Sequence, residues 1–262
     1  MNLKKKLLAG LLTIGTVATM LVGCGGGNDD NTFIVGFDAE YPPYGYMDEN
    51  GDYTGFDLEL AEAVCKLKGW TLKKQPIAWD SKDNELNSGS IDCIWNGFTI
   101  NGREDKYEWS VPYVDNSQVI VVKKNAGIKS LADLSGKVVG VQSASAALDV
   151  LSSADGQKAL ADTFKTLTQF ADYNTAFVEL EAGSINALAM DIGVAQYQIA
   201  SRGDDFIILD EHLNAEKYGV GFKKGNTSLR DEINEALKTL KENGTFDKLA
   251  DKYNLSDMTC LD

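Results

Sequence analysis

The chain has 262 residues, a formal net charge of −14 and 44% hydrophobic residues, enough apolar content for a sizeable core and too acidic a balance for a nucleic-acid partner. Its only histidine, His212, lies in the polar run "LDEHLN", and its cysteines show no metal-ligand spacing, so Ser-His-Asp, Cys-His and His-based zinc chemistry are set aside. The length suits one large domain or two of about 100 to 120 residues.

From the N-terminus, Lys4, Lys5 and Lys6 precede an apolar run from Leu7 to Val22. That is the layout of a signal peptide, and the run is shorter than the roughly 20 residues a spanning helix needs. "LVGC", Leu21 to Cys24, resembles the bacterial lipobox. Residues 1–23 are therefore expected to be removed and Cys24 acylated, and two or more acyl chains make such an anchor stable. "CGGGNDDN", residues 24–31, reads as a flexible tether.

Short β-rich runs then alternate with amphipathic helical runs, the pattern of α/β architecture with largely parallel sheets. "TFIVGF" predicts a strand, and "GFDLELAEAVCKLKGW" a helix whose Phe56, Leu60, Val64 and Leu67 share one face. "TLKKQPI" and "IDCIW" predict two more strands around a short helix at 82–87, and "QVIVVKK", Gln118 to Lys124, a fourth. The unit then restarts: "KVVGV", "FKTLTQF", "INALAMD" and "FIIL" as strands, with "SASAALDVLSS", "NTAFVELEAG" and "IGVAQYQIASR" as helices between them. "EKYGVGFKKGN" reads as a return strand, and two helices follow, broken at Asn243-Gly244. Two lobes with crossings near 121–124 and 217–222 imply a hinge, dividing the chain into 32–121 with 218–262, and 122–217. Cys65 and Cys93 fall on apolar faces and read as buried thiols; a bridge from Cys260 to one of them is left open.

"FDAEYPPYGY", "GFDLELAEAV", "GSIDCIWNGFTINGREDKYEWSVPYVDNSQVIVVKK", "SLADLSGKVVGVQSASA", "ELEAGSINALAMD", "YGVGFKKGN" and "NGTFDKLADKY" occur in this order between Phe33 and Tyr253. Together they resemble the extracytoplasmic solute-binding proteins of the polar-amino-acid family that feed ABC importers. The resemblance implies a type II periplasmic-binding-protein fold with a ligand cleft between two α/β lobes. It also implies a monomer with no enzymatic activity and no cofactor or metal, working with a membrane permease.

Matched residue by residue, the resemblance puts Arg103 on the ligand α-carboxylate, Asp191 on its α-ammonium, and Gly97, Thr99 and Ser145 in hydrogen-bonding positions. Asp38, Tyr41 and Trp79 fall beside the ligand side chain, with Tyr44 or Trp95 as further candidates. A zwitterion needs both poles paired, because a buried unpaired charge costs several kcal/mol. The planar fork of an arginine suits the carboxylate. The turn from Thr99 to Arg103 is one residue shorter than the family's usual one, which puts the placement of Arg103 at issue. Ser145 and Ser143 both read as N-cap serines as well. If Arg103 and Asp191 balance the zwitterion, Asp38 and Asp80 are left to meet a donor or cation on the ligand. That favours lysine, arginine, ornithine, histidine or glutamine, with cystine as an alternative. A dehydratase-type enzyme on the same scaffold is the other reading carried forward, with Glu40 or Asp80 as its acid or base.

Overall fold

The computed structural model describes residues 31–261, so the expected leader, Cys24 and all but the end of the tether lie outside the described residues. The first elements are β1 (Thr32–Phe37), β2 (Glu40–Tyr41), β3 (Gly45–Met47), β4 (Tyr53–Thr54), α1 (Phe56–Lys68), β5 (Thr71–Pro76), α2 (Lys82–Ser88), β6 (Cys93–Ile94), β7 (Glu108–Trp109) and β8 (Val114–Lys123). They continue with β9 (Val138–Gln142), α3 (Ala146–Ser152), α4 (Lys158–Ala161), β10 (Thr166–Phe170), α5 (Tyr173–Ala182), β11 (Ala187–Asp191), α6 (Ile192–Arg202) and β12 (Phe206–Ile208). β13 (Asn214–Tyr218), β14 (Gly221–Phe222), α7 (Thr227–Glu242) and α8 (Thr245–Lys252) complete the chain.

β1 is buried along nearly its whole length because it is flanked in register by β5 and β6, which is why it reads as an unbroken apolar run. The first sheet has the order β5-β1-β6-β14-β7, with β5, β1 and β6 parallel and the last two strands antiparallel. α1 buries Phe56, Leu60 and Val64 against it, while Leu67 at the helix end is 46% exposed. Gly69, left-handed at φ 72°, closes α1 by donating to the Cys65 carbonyl. α7 and α8 return to cover α1, and Phe246 meets Phe56 edge-on at 5.7 Å.

The second sheet runs β10-β9-β11-β8-β12, with β13 also paired to β8. Its parallel part carries Val139, Val141, Ala187 and Ala189 into a core with Leu151 and Leu209. One boundary differs from the sequence-based expectation. β8 starts at Val114 and its strand partners are β11, β12 and β13, with one isolated bridge from Val114 to Thr259, so residues 114–121 lie in the second sheet. The chain therefore crosses between Trp109 and Val114, and again between Tyr218 and Gly221. The first half of β8 escaped the hydropathy signal because Asn116 and Gln118 are buried there by hydrogen bonds and not by apolar packing. Among the described residues Cys65, Cys93 and Cys260 are all free thiols, so Cys260 forms no bridge to either.

Candidate functional site

The C-terminal ends of the parallel strands in both sheets turn toward each other, the place where open α/β sheets present their loops to ligands. From the first lobe, Asp38 follows β1, Tyr41 lies in β2, Trp79 precedes α2, and Gly97, Thr99 and Arg103 lie in the loop after β6. From the second, Ser145 follows β9 and Asp191 closes β11. All eight are buried.

Arg103 is 5% exposed despite the short turn, which is closed by its own N–H donating to the Ile100 carbonyl at 2.9 Å. Its guanidinium lies over the Phe98 ring at 5.2 Å, and Nε and Nη2 both donate to Asp149 Oδ2, at 3.2 and 2.8 Å, across the lobes. The Asp149 side chain is 60% exposed, so solvent screens its charge. Ser145 caps α3, accepting from Leu148 N at 3.2 Å, which leaves its own O–H free to donate. The serine at 143 does not take this role.

Asp191 occupies the N-cap position of α6 without capping it. Instead its Oδ1 accepts from Asn116 Nδ2, Gln118 Nε2 and Tyr218 Oη, at 2.8, 2.7 and 2.5 Å. The same two amides donate to Glu216 Oε1, at 2.7 and 2.8 Å, and Thr99 Oγ1 donates there as well. Two carboxylates thus share neutral donors, and among the described residues no cation forms an ion pair with either. Burial, then the Glu216 charge, pushes the Asp191 carboxyl above its ordinary range. A cation arriving at Asp191 would relieve both effects.

Four buried tyrosines enclose this acid. Tyr41 lies 6.0 Å from Tyr44 and 5.9 Å from Tyr173, and Tyr44 meets Tyr218 edge-on at 5.2 Å. Burial and then the Asp191 charge push the Tyr41, Tyr173 and Tyr218 phenols up. Tyr44 extends to Gly193 of the second lobe, where an added Cβ would come within 2.5 Å of its hydroxyl. Trp95 is fully buried and packs against Tyr113 at 6.5 Å.

Asp38 accepts from the Glu40 backbone N–H at 2.9 Å and from Gln142 Nε2 at 2.6 Å, the latter from the second lobe. Its pKa is pushed up to about 6 by burial, against the pull of those two hydrogen bonds.

Two expected donors face elsewhere. Gly97 N–H donates to Asp57 Oδ2 at 2.5 Å, behind the cleft, so its amide is not offered to a ligand. What Gly97 supplies is space: it is left-handed at φ 56°, and a Cβ there would come within 2.8 Å of Tyr41. The Thr99 hydroxyl is likewise directed to Glu216 and reaches Asp191 only through the shared amides. Trp79 packs edge-on against Phe98 at 5.5 Å and beneath the Lys82 ammonium at 5.0 Å. It belongs to the cluster of Ile34, Leu86 and Ile94 and forms floor more than wall.

Sequence reasoning did not single out Lys82, Asn116, Gln118, Gln142, Asp149, Tyr173 or Glu216. Asn116 and Gln118 lie in an unbroken polar run, Asp115 to Gln118, so nothing in the sequence marks them, and only their alternate burial in the strand shows which side chains turn inward. For the others only partners distant in sequence give the role away.

The family model for bacterial extracellular solute-binding proteins, family 3, matches residues 33–256. The chain is 29% identical over 268 residues to the L-cystine-binding protein TcyJ of Escherichia coli (strain K12), covering 98% of both. It is 31% identical over 260 residues to the arginine-binding extracellular protein ArtP of Bacillus subtilis (strain 168), covering 96% of this chain and 98% of that one. Its fold superposes with a TM-score of 0.84, at 33% identity, on an ABC uptake transporter substrate-binding protein from Streptococcus pneumoniae with bound histidine. That match covers 88% of this chain and 95% of the other.

Proposed function

The chain belongs to the bacterial extracellular solute-binding proteins of family 3, and from that membership we propose that it is a receptor that captures a polar or cationic L-amino acid. It then delivers the ligand to an ABC permease, held at the outer face of the membrane by lipid on Cys24. The observation that carries the reading is the placement of one buried guanidinium and one buried, cation-free carboxylate on opposite lobes of a single cleft. Arg103 belongs to the first lobe and Asp191 to the second. In this reading Arg103 and the Ser145 hydroxyl take the α-carboxylate, Asp191 with its tyrosines takes the α-ammonium, and Asp38 meets the side chain. A ligand that touches both lobes favours their closed arrangement by its differential affinity for it.

Asp38, Asp191 and Glu216 outnumber the buried cations of the cleft, which supports lysine, arginine, ornithine, histidine or glutamine over aliphatic and acidic ligands. Cystine is the second reading, favoured by the buried Asp38, which its second ammonium would meet. Calorimetric titration of the mature chain with the twenty amino acids, ornithine and cystine tests both. Binding near micromolar, about −8 kcal/mol, by a member of the favoured set is expected. No binding by any of them would remove the reading.

A further inference from the structure

Lys82 opens α2, where a lysine is ordinarily solvated. Here it is 5% exposed. Its Nζ donates to two carbonyls: that of Trp79 in its own lobe at 3.3 Å, and that of Ala144 in the second lobe at 3.0 Å. Among the described residues no carboxylate lies within ion-pairing distance of it. The charged groups that face it are Asp80 just before it, Asp83 on α2, Arg103 beyond β6 and Asp149 on α3. A buried ammonium without a carboxylate partner is costly, and a neighbouring guanidinium raises that cost.

The far end of the contact is unusual too. Ala144 is left-handed at φ 55°, a conformation that a residue with a Cβ seldom adopts unless its surroundings hold it. The bond from Lys82 is one such support, and the next residue is Ser145. The same second-lobe segment makes two further ties, from Gln142 to Asp38 and from Asp149 to Arg103. Lys82 stands between them, with one of its three N–H groups uncommitted.

We propose that Lys82 is a positioning residue of the cleft: it draws the Ala144–Ser145 turn of the second lobe over the ligand and adds a second cation to the Arg103 end of the site. An anionic group seated between Arg103, Lys82 and Ser145 would offset the repulsion of the two cations, and the α-carboxylate is the group required there. For its ligand the proposal rests on the amino-acid-receptor reading; for its effect on closure it does not. Burial, then Arg103, lowers the Lys82 pKa to about 8, so the ammonium is present at neutral pH and is lost as pH rises past that value.

The test compares wild type with Lys82→Met and Lys82→Arg in two measurements. In the first, the best ligand of the amino-acid panel is titrated calorimetrically from about pH 7 to pH 9.5. Lys82→Met is expected to weaken binding about tenfold at pH 7, and wild type to lose that same advantage by pH 9.5. Lys82→Arg keeps most of the affinity and does not show this loss. The ligand's own ammonium titrates equally against all three proteins, so the difference between profiles is what counts. In the second, spin labels at the exposed positions Ser88 and Asp155 report the distance between lobes at pH 7, in a Cys260→Ser background with no amino acid added. Lys82→Met is expected to shift the distances to longer values and Lys82→Arg to restore them. Parallel pH profiles for wild type and Lys82→Met would overturn the proposal. If no amino acid binds wild type, the receptor reading fails instead, and the label distances alone decide: unchanged distances in Lys82→Met overturn the proposal.

Discussion

Asp38 takes hydrogen bonds from a backbone amide and from the Gln142 side chain, and neither donor carries a charge. Its carboxylate is therefore buried but unneutralised, the condition in which a ligand cation is worth most. Asp38→Ala is expected to weaken a cationic amino acid at least about tenfold more than an aliphatic one, since a charge-assisted bond is lost in one case only. Calorimetry with arginine and leucine measures the difference, and equal losses would show that Asp38 only shapes the loop after β1. At this scale the sequence showed the acids that end apolar strands, Asp38 and Asp191, because an acid after such a run stands out locally. Glu216 and Gln142 stand out only through bonds to residues about 100 positions away, and nothing local marks them.

α1 is tied to the site by its first turn. Asp57 is completely buried, accepts from Gly97 N–H and from Tyr113 Oη at 2.9 Å, and among the described residues forms no ion pair. Burial pushes its pKa up to about 7, against those two hydrogen bonds. The folded-state pKa therefore exceeds the unfolded one, near 3.8, so between the two values the folded chain binds the extra proton. Stability then falls as pH rises from about 4 to 7 and levels off above. Thermal melts across that range are expected to show the decline, and Asp57→Asn, which cannot ionise, to lessen it, leaving the part that Asp38 and Asp191, also pushed up by burial, contribute. An unchanged slope in Asp57→Asn would place the proton elsewhere. The helices and parallel strands were legible because each has its own apolar period. The start of β8 was not, because its buried face is built from Asn116 and Gln118, which are satisfied by Asp191 and Glu216 in other strands. The small sheet β2-β3-β4 escaped too, its strands being two or three residues long.

At the scale of the molecule, the lobes meet through polar ties and through an aromatic wall that is continuous with the apolar core on both sides. Arg103 to Asp149, Asp38 to Gln142, and Lys82 to the Ala144 carbonyl all cross the cleft. Bonds of this kind exchange with water at little net cost, so the two arrangements of a hinged pair can lie within a few kcal/mol and a ligand can choose between them. In the proposed function, one amino acid is held by its carboxylate at Arg103 of the first lobe and by its ammonium at Asp191 of the second. The most direct measurement is a calorimetric comparison of the best-binding amino acid with its Nα-acetyl and its carboxamide derivatives. Each derivative is expected to bind at least about a hundredfold more weakly, because each leaves one buried charge of the site unpaired. Binding of either derivative with the affinity of the parent amino acid would contradict that arrangement.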